Sequence, residues 1–446
     1  MTARFRDSWR IRPSWPQTAV LALFTLDMLF LPMFHFRGLP VKPAYVVVAA
    51  YVFAAMASRP VRAMVGWCWS LAIVFWIGAF YLFIIEDGAR VSETARNSLV
   101  WFLAPLAFAF GWQHRRARLN FLLAFIPLYF LLNLVLTLTY REAGWLVSFY
   151  GLEDRVTYGM FDWRSPGIHY NPNLSALAAN LMLLTIVLGE RLEAIRVRSV
   201  VRWAVFLSVI GTHSLLGSRG ELASALLLGA VWMWDVTTAR RRQRLLRFVL
   251  IGGTAAVSFL AAFYWSLAHL AARGYAFSFV LYQFSANSTT LASAGQFSDQ
   301  SARGDSLLLR PFLQVEKAYA RFLVSPVWGT GFDSGTWYPF NETYFHNDWI
   351  VVVVAGGVLG LLLFVGVLLQ LRPLGLIALL PFFITAPFNS FIMAPSHMMF
   401  YFAMAGLLTG AVSRRNQPAE PNRVYRQRAS DAALGTSARR IQRSAI

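Results

Sequence analysis

Apolar runs of about 17–25 residues recur along the whole chain, the length at which an α-helix crosses the hydrocarbon of a bilayer. Backbone groups there must be paired within the segment, and no run alternates with the two-residue period of a barrel strand. Hydrophobic residues make up 57% and charged residues 14% of the chain, whereas a soluble domain carries roughly 25% charged residues. The fold class is therefore an all-α polytopic membrane protein with about 12 transmembrane helices. The spans are expected near 17–34, 41–58, 65–85, 97–112, 119–139, 171–189, 203–217, 220–236, 248–268, 347–370, 374–388 and 396–412. No convincing small-residue cleavage site follows the first span, which reads as a retained anchor.

The basic residues set the expected orientation. Arg4, Arg6, Arg10 and Arg12 precede the first span. The alternate loops hold Arg59 and Arg62; Arg115, Arg116 and Arg118; Arg191, Arg196, Arg198 and Arg202; Arg240, Arg241, Arg242, Arg244 and Arg247; and Arg372. With eight in the tail from Arg414 to Arg443, this side has 27 of 40 basic residues and 6 of 21 acids. By the positive-inside rule both termini are expected to be cytoplasmic, and the dominance of arginine over two lysines suggests a high-GC bacterial genome and so an inner membrane. The formal charge of +19 is thus mainly a topology signal, calls for no nucleic acid, and suits anionic membrane lipids. The segment 414–446 reads as a disordered basic tail. Cys68, the single cysteine, lies within the third apolar run, so no disulfide or cysteine-based metal site is available.

The chain reads as one helical domain, 1–446, with two long outward connections, 140–170 and 269–345. The second is too long for a simple link. Within it 306–323 has apolar residues at helical spacing, and Gly329-Thr330-Gly331-Phe332 suggests a tight turn feeding the next span. Long loops on a rigid scaffold are where binding and catalytic residues concentrate.

Several polar groups map to this outer face. Ser218-Arg219-Gly220 marks the surfacing of the seventh span and the start of the eighth, where a helix N-terminus and a guanidinium can receive an anion. Arg219 can equally snorkel to headgroups as an anchor. Arg303 lies in Ser-Ala-Arg-Gly-Asp, where Asp305 can pair with it. Arg164 precedes Asn171-Pro172-Asn173, which caps the following helix. His346, flanked by Tyr344, Asn347 and Asp348, opens the tenth span and can act as a general base, or sit as a histidine at a wet aromatic interface. Asp27 is a buried acid expected to pair with a polar group of a neighbouring helix. His213 and Ser214 read as packing or supporting groups. No His-Glu-x-x-His, Cys-x-x-Cys, Walker loop or Asp-x-Asp pair is present, so no metal and no cofactor is expected.

These motifs in this order resemble the O-antigen ligase and polymerase superfamily. The resemblance rests on Ser218-Arg219-Gly220, Arg303, Gly329-Thr330-Gly331-Phe332 and His346-Asn347, with Arg164, Gly167 and Asn171-Pro172-Asn173 as an upstream element. It covers about 160–350, and the hydropathy of the remainder agrees. It implies a GT-C-like, metal-independent, inverting glycosyltransferase with a partly helical periplasmic loop. The donor would be an undecaprenyl-diphosphate-linked glycan and the acceptor lipid A–core. His346, Arg219 and Arg303 would be catalytic. Arg164, Ser218, Asn347, Tyr344 and Asn173 would hold the diphosphate or glycan. A polymerase of the same superfamily is the nearest alternative. A transporter or flippase for a lipid-linked anion is another class, and predicts broken helices with charges at the membrane midplane.

Overall fold

The computed structural model describes residues 14–32, 34–36, 39–85, 91–157, 165–236, 318–319, 321–332, 347–385, 391 and 394–415. They form a helical, membrane-embedded bundle with one small hairpin. The helices are α1 (Trp15–Leu29), α2 (Pro43–Ala55), α3 (Arg59–Ile85), α4 (Val91–Gln113), α5 (Leu122–Thr139), the short α6 (Gly144–Phe149) and α7 (Glu153–Thr157), α8 (Pro172–Arg191), α9 (Ser199–Leu216), α10 (Arg219–Val236), α11 (Asp348–Gln370) and α12 (Pro395–Arg415). Five helical stretches among the described residues are long and apolar enough to cross a membrane: Arg59–Ile85, Leu119–Thr139, Pro172–Arg191, Ser199–Leu216 and Asp348–Gln370. The expected span 248–268, most of the loop 269–345 and the tail beyond Arg415 lie outside the described residues.

Three expected spans come out differently, α2 having 13 residues where 41–58 was expected. Over 374–385, the described part of the expected span 374–388, the regular helix is replaced by 3-10 turns at Arg372–Leu374 and Leu376–Leu379 and a π turn at Pro381–Thr385. Pro373 and Pro381 remove backbone donors, and Gly375 adopts φ 83°, so the apolar run cannot wind continuously. The first span is also shorter than expected. Helix α1 has 15 residues, about 22 Å, against about 30 Å of hydrocarbon. It gives way to the antiparallel hairpin β1 (Phe34–Phe36) and β2 (Leu39–Val41), registered Phe34 to Val41.

Ending α1 early leaves its last carbonyls inside the protein, where each needs a donor. Lys42 Nζ donates to two of them, Asp27 and Met28 (3.2 Å), and to the Leu31 carbonyl just past the helix (2.8 Å). The Tyr150 hydroxyl donates to Phe30 at 3.0 Å. In return the Asp27 carboxylate accepts the Ala44 N–H (3.0 Å) and caps α2. Asp27 is thus a structural cap. Lys42→Met should cost about 3–5 kcal/mol, because it leaves three inward carbonyls without their donor. Thermal unfolding of the detergent-solubilised protein measures it, and an unchanged midpoint would refute this account.

At the other end of the bundle, Glu190 joins three helices. Its Oε1 accepts from Arg202 at 2.7 Å and from the Val197 N–H at 3.3 Å, and its Oε2 accepts from Trp232 at 2.6 Å. The Arg202 guanidinium lies 5.4 Å from the Trp232 ring centroid. Arg202, read from sequence as part of the orienting charge, is spent on this internal pair.

Helix α11 is broken at Gly357, where φ is 61° and ψ is −159°. The helical bonds from Val358 to Val354 and from Leu359 to Ala355 are replaced by bonds to another segment. Thr330 N–H donates to the Val354 carbonyl and Gly331 N–H to the Ala355 carbonyl, both at 2.9 Å. Val358 N–H donates to the Pro326 carbonyl at 2.9 Å and Leu359 N–H to the Val327 carbonyl at 3.2 Å. Residues 325–332 therefore enter alongside the helix instead of merely turning into it. Phe332 N–H then donates to Thr94 Oγ1 of α4 at 2.8 Å. Non-helical backbone at membrane depth is tolerated where protein pairs its polar groups, and here the exchange meets that condition.

Candidate functional site

One end of the bundle collects the described members of the predicted set. Asn171 caps α8, accepting the Asn173 N–H at 2.9 Å, with Pro172 at the first helical position. Helix α9 ends at Gly217 in the left-handed conformation (φ 62°), which frees the chain to turn directly into α10. Ser218 follows, and its carbonyl accepts the first helical bond of α10 from Leu222 at 3.0 Å. Its buried hydroxyl donates to Asn173 Oδ1 at 3.0 Å. Asn347 caps α11, accepting from the Trp349 and Ile350 N–H groups at 3.0 and 3.3 Å. Asp348 reaches back to accept the Phe391 N–H at 2.8 Å, beside the start of α12. His397 of α12 donates to the Leu174 carbonyl of α8 at 2.9 Å.

Four helices, α8, α10, α11 and α12, therefore begin at this end. The N-terminus of a helix carries about half a positive charge and presents unpaired N–H groups, so the end as a whole favours anions.

Ser218 and Asn173 are in direct contact. Asn347 sits at the same end but serves as a cap. Arg219 opens α10, and its side chain lies outside the described residues. Arg164, Arg303, Tyr344 and His346 also lie outside them.

The segment 165–175 is a hydrogen-bonded platform just after Arg164. The Ser165 hydroxyl accepts from Thr137 at 2.9 Å and from Gly167 N–H at 3.3 Å. Ile168 N–H donates to Asn133 Oδ1 at 3.3 Å. The Ser175 hydroxyl accepts from His169 N–H at 3.1 Å and donates to the Pro166 carbonyl at 3.2 Å, while Tyr129 donates to the Ser175 carbonyl at 2.9 Å. His169 packs edge-on against His397, with ring centroids 4.6 Å apart. Burial, with His397 and Lys42 beside it, holds the His169 pKa well below the ordinary histidine value, so it is neutral at pH 7.

Sequence reasoning did not select His169, His397 or Asn180 as part of this region. The available signal was polar residues within apolar runs: Asn173 and Asn180 lie seven apart, two turns along one face of α8. Among the described residues, no group of three or more His, Cys, Asp or Glu side chains could hold a metal ion. Compared with known proteins, the chain matches no family model and no curated sequence.

Proposed function

We propose that the chain transfers a glycan from undecaprenyl diphosphate to a hydroxyl of lipid A–core at the outer face of a bacterial inner membrane. The observation that carries the reading is the Ser218–Asn173 hydrogen bond. It joins the segment following Arg164 to the Ser218-Arg219 turn, at the end where α11 also starts from Asn347. Motifs separated in sequence thus share one end, and helix starts crowd it with positive potential suited to a diphosphate.

In the proposed reaction the acceptor oxygen forms a bond to the anomeric carbon as the bond to diphosphate breaks. The hydroxyl proton passes to His346 as general base, and the diphosphate leaves with the electron pair and the polyprenol. Arg219 and Arg303, with Arg164, stabilise the charge that develops on it. Apolar helix faces hold the two lipid tails and supply proximity.

The broken helix α11 favours a second reading, a transporter of a lipid-linked anion, because transporters commonly bind their ions at such breaks. Residues 326–331 and 354–359 contain no charged side chain. The four backbone groups released at the break are already paired. That leaves little there to receive an ion, and glycan transfer is preferred.

Complementation of a bacterium lacking its O-antigen ligase, followed by a gel of its lipopolysaccharide, tests the reading. Restored O-antigen on lipid A–core is the expected result. Arg303→Lys should lose it, since lysine lacks the planar two-pronged donor. No restoration by a well-expressed chain whose acceptor matches would overturn ligation, and full activity of Arg303→Lys would overturn the two-pronged contact.

A further inference from the structure

The turn that carries Arg219 is hydrogen-bonded to α8. Ser218 caps α10 and Glu221 stands at its third position, the Ser-x-x-Glu spacing that in an isolated helix closes on itself. Here both side chains bond to α8. The Ser218 hydroxyl donates to Asn173 Oδ1, and one buried amide, Asn180 Nδ2, donates to the Glu221 carbonyl at 2.8 Å and to Glu221 Oε2 at 2.7 Å. Asn180 lies seven residues beyond Asn173 and so presents the same face.

The remaining atom of that amide fixes the state of a histidine. With Nδ2 committed to two acceptors, Asn180 Oδ1 faces the His213 ring, 2.9 Å from Nε2. Two acceptors cannot share a bond, so His213 carries its proton on Nε2 and donates it. Its Nδ1 is then a bare lone pair, consistent with that atom's being buried without a partner among the described residues. His213 and Glu221 are both 0% exposed and Asn180 3%, so each bond is made where an unmet polar atom is costly.

We propose that His213 and Asn180 are positioning residues for the Ser218-Arg219 turn. His213 orients the amide, and the amide holds the first turn of α10 against α8. Arg219, which the proposed function places on the diphosphate, is thereby presented from a preorganised helix start. The inference rests on that functional reading for its catalytic consequence, whereas its geometric content stands apart from it.

The test pairs two substitutions at one position. His213→Phe keeps a ring of similar size without the donor, and His213→Gln keeps an amide N–H close to the place of Nε2. Positioning is read without activity by disulfide formation between Asn173→Cys and Ser218→Cys in membranes. The background is Cys68→Ala, since Cys68 is the sole cysteine.

His213→Phe should slow crosslinking about tenfold through loss of one buried hydrogen bond. In the chain without added cysteines it should lower kcat by up to about 10²-fold through misplacement of Arg219, with KM for the donor unchanged. His213→Gln should retain both rates. Equal crosslinking in His213→Phe and His213→Gln would overturn the proposal. Should His213→Phe fail to accumulate, Asn180→Ala takes its place, and unslowed crosslinking there overturns the proposal equally. The expected crosslinking order in a chain that transfers no glycan would support the positioning and overturn the functional reading.

Discussion

Arg219→Ala and His346→Ala should each lower the proposed glycan transfer by about 10²–10⁴-fold, the range for removing a transition-state donor or a general base. Neither change is expected to disturb insertion. Arg219 is the first residue of α10, and alanine is a good helix former. The bonds that seat this turn come from Ser218, Asn180 and Glu221, and they survive its loss. His346 lies just before the Asn347 cap, whose two bonds to the start of α11 do not involve it. Lipopolysaccharide profiles from strains with matched membrane levels provide the measurement. Transfer within a few-fold of wild type in either variant would remove that residue from the chemistry.

Gly329→Val should prevent the membrane domain from assembling. Gly329 has φ 73°, a conformation that costs a β-branched residue heavily. A Cβ there would stand 2.3 Å from the carbonyl carbon and oxygen of Ala355 and 2.4 Å from the Gly356 nitrogen. All three are backbone atoms of α11 and have no rotamer through which to yield. Overpacking and the backbone penalty together amount to roughly 3 kcal/mol or more. Size-exclusion chromatography of a fluorescent fusion should show aggregate in place of the monodisperse peak. Gly144→Ala is the matched control, since a Cβ at Gly144 meets nothing within 4 Å. A monodisperse Gly329→Val protein would mean that residues 325–331 do not hold the place described for them.

Much of this architecture was legible in the sequence because its causes are local. The Asn171-Pro172 start of α8, the turn before Arg219 and the apolar length of α3 and α11 each follow from a few adjacent residues. The early end of α1 was not, because Lys42 and Tyr150 cap it from 11–15 and 120 residues away. The apolar run 374–388 passed for a span because hydropathy counts proline and glycine hardly at all, whereas helix geometry depends on them. Of the site, the sequence reading found Ser218 and Asn173 separately. Their contact, and the support from Asn180 and His213, depend on helix packing that one sequence leaves open.

The break in α11 also bears on how the chain enters a membrane. Val354, Ala355, Val358 and Leu359 can satisfy one another along an unbroken helix, so α11 need not wait for residues 326–331 before it leaves water. The bilayer would meet one apolar cylinder at insertion, and the incoming segment would trade partners with it afterwards. In biogenesis the two events are then separable. An α11 that inserts normally, in a chain whose Gly329-Thr330-Gly331 segment stays outside, is the intermediate that this arrangement makes available for quality control to recognise.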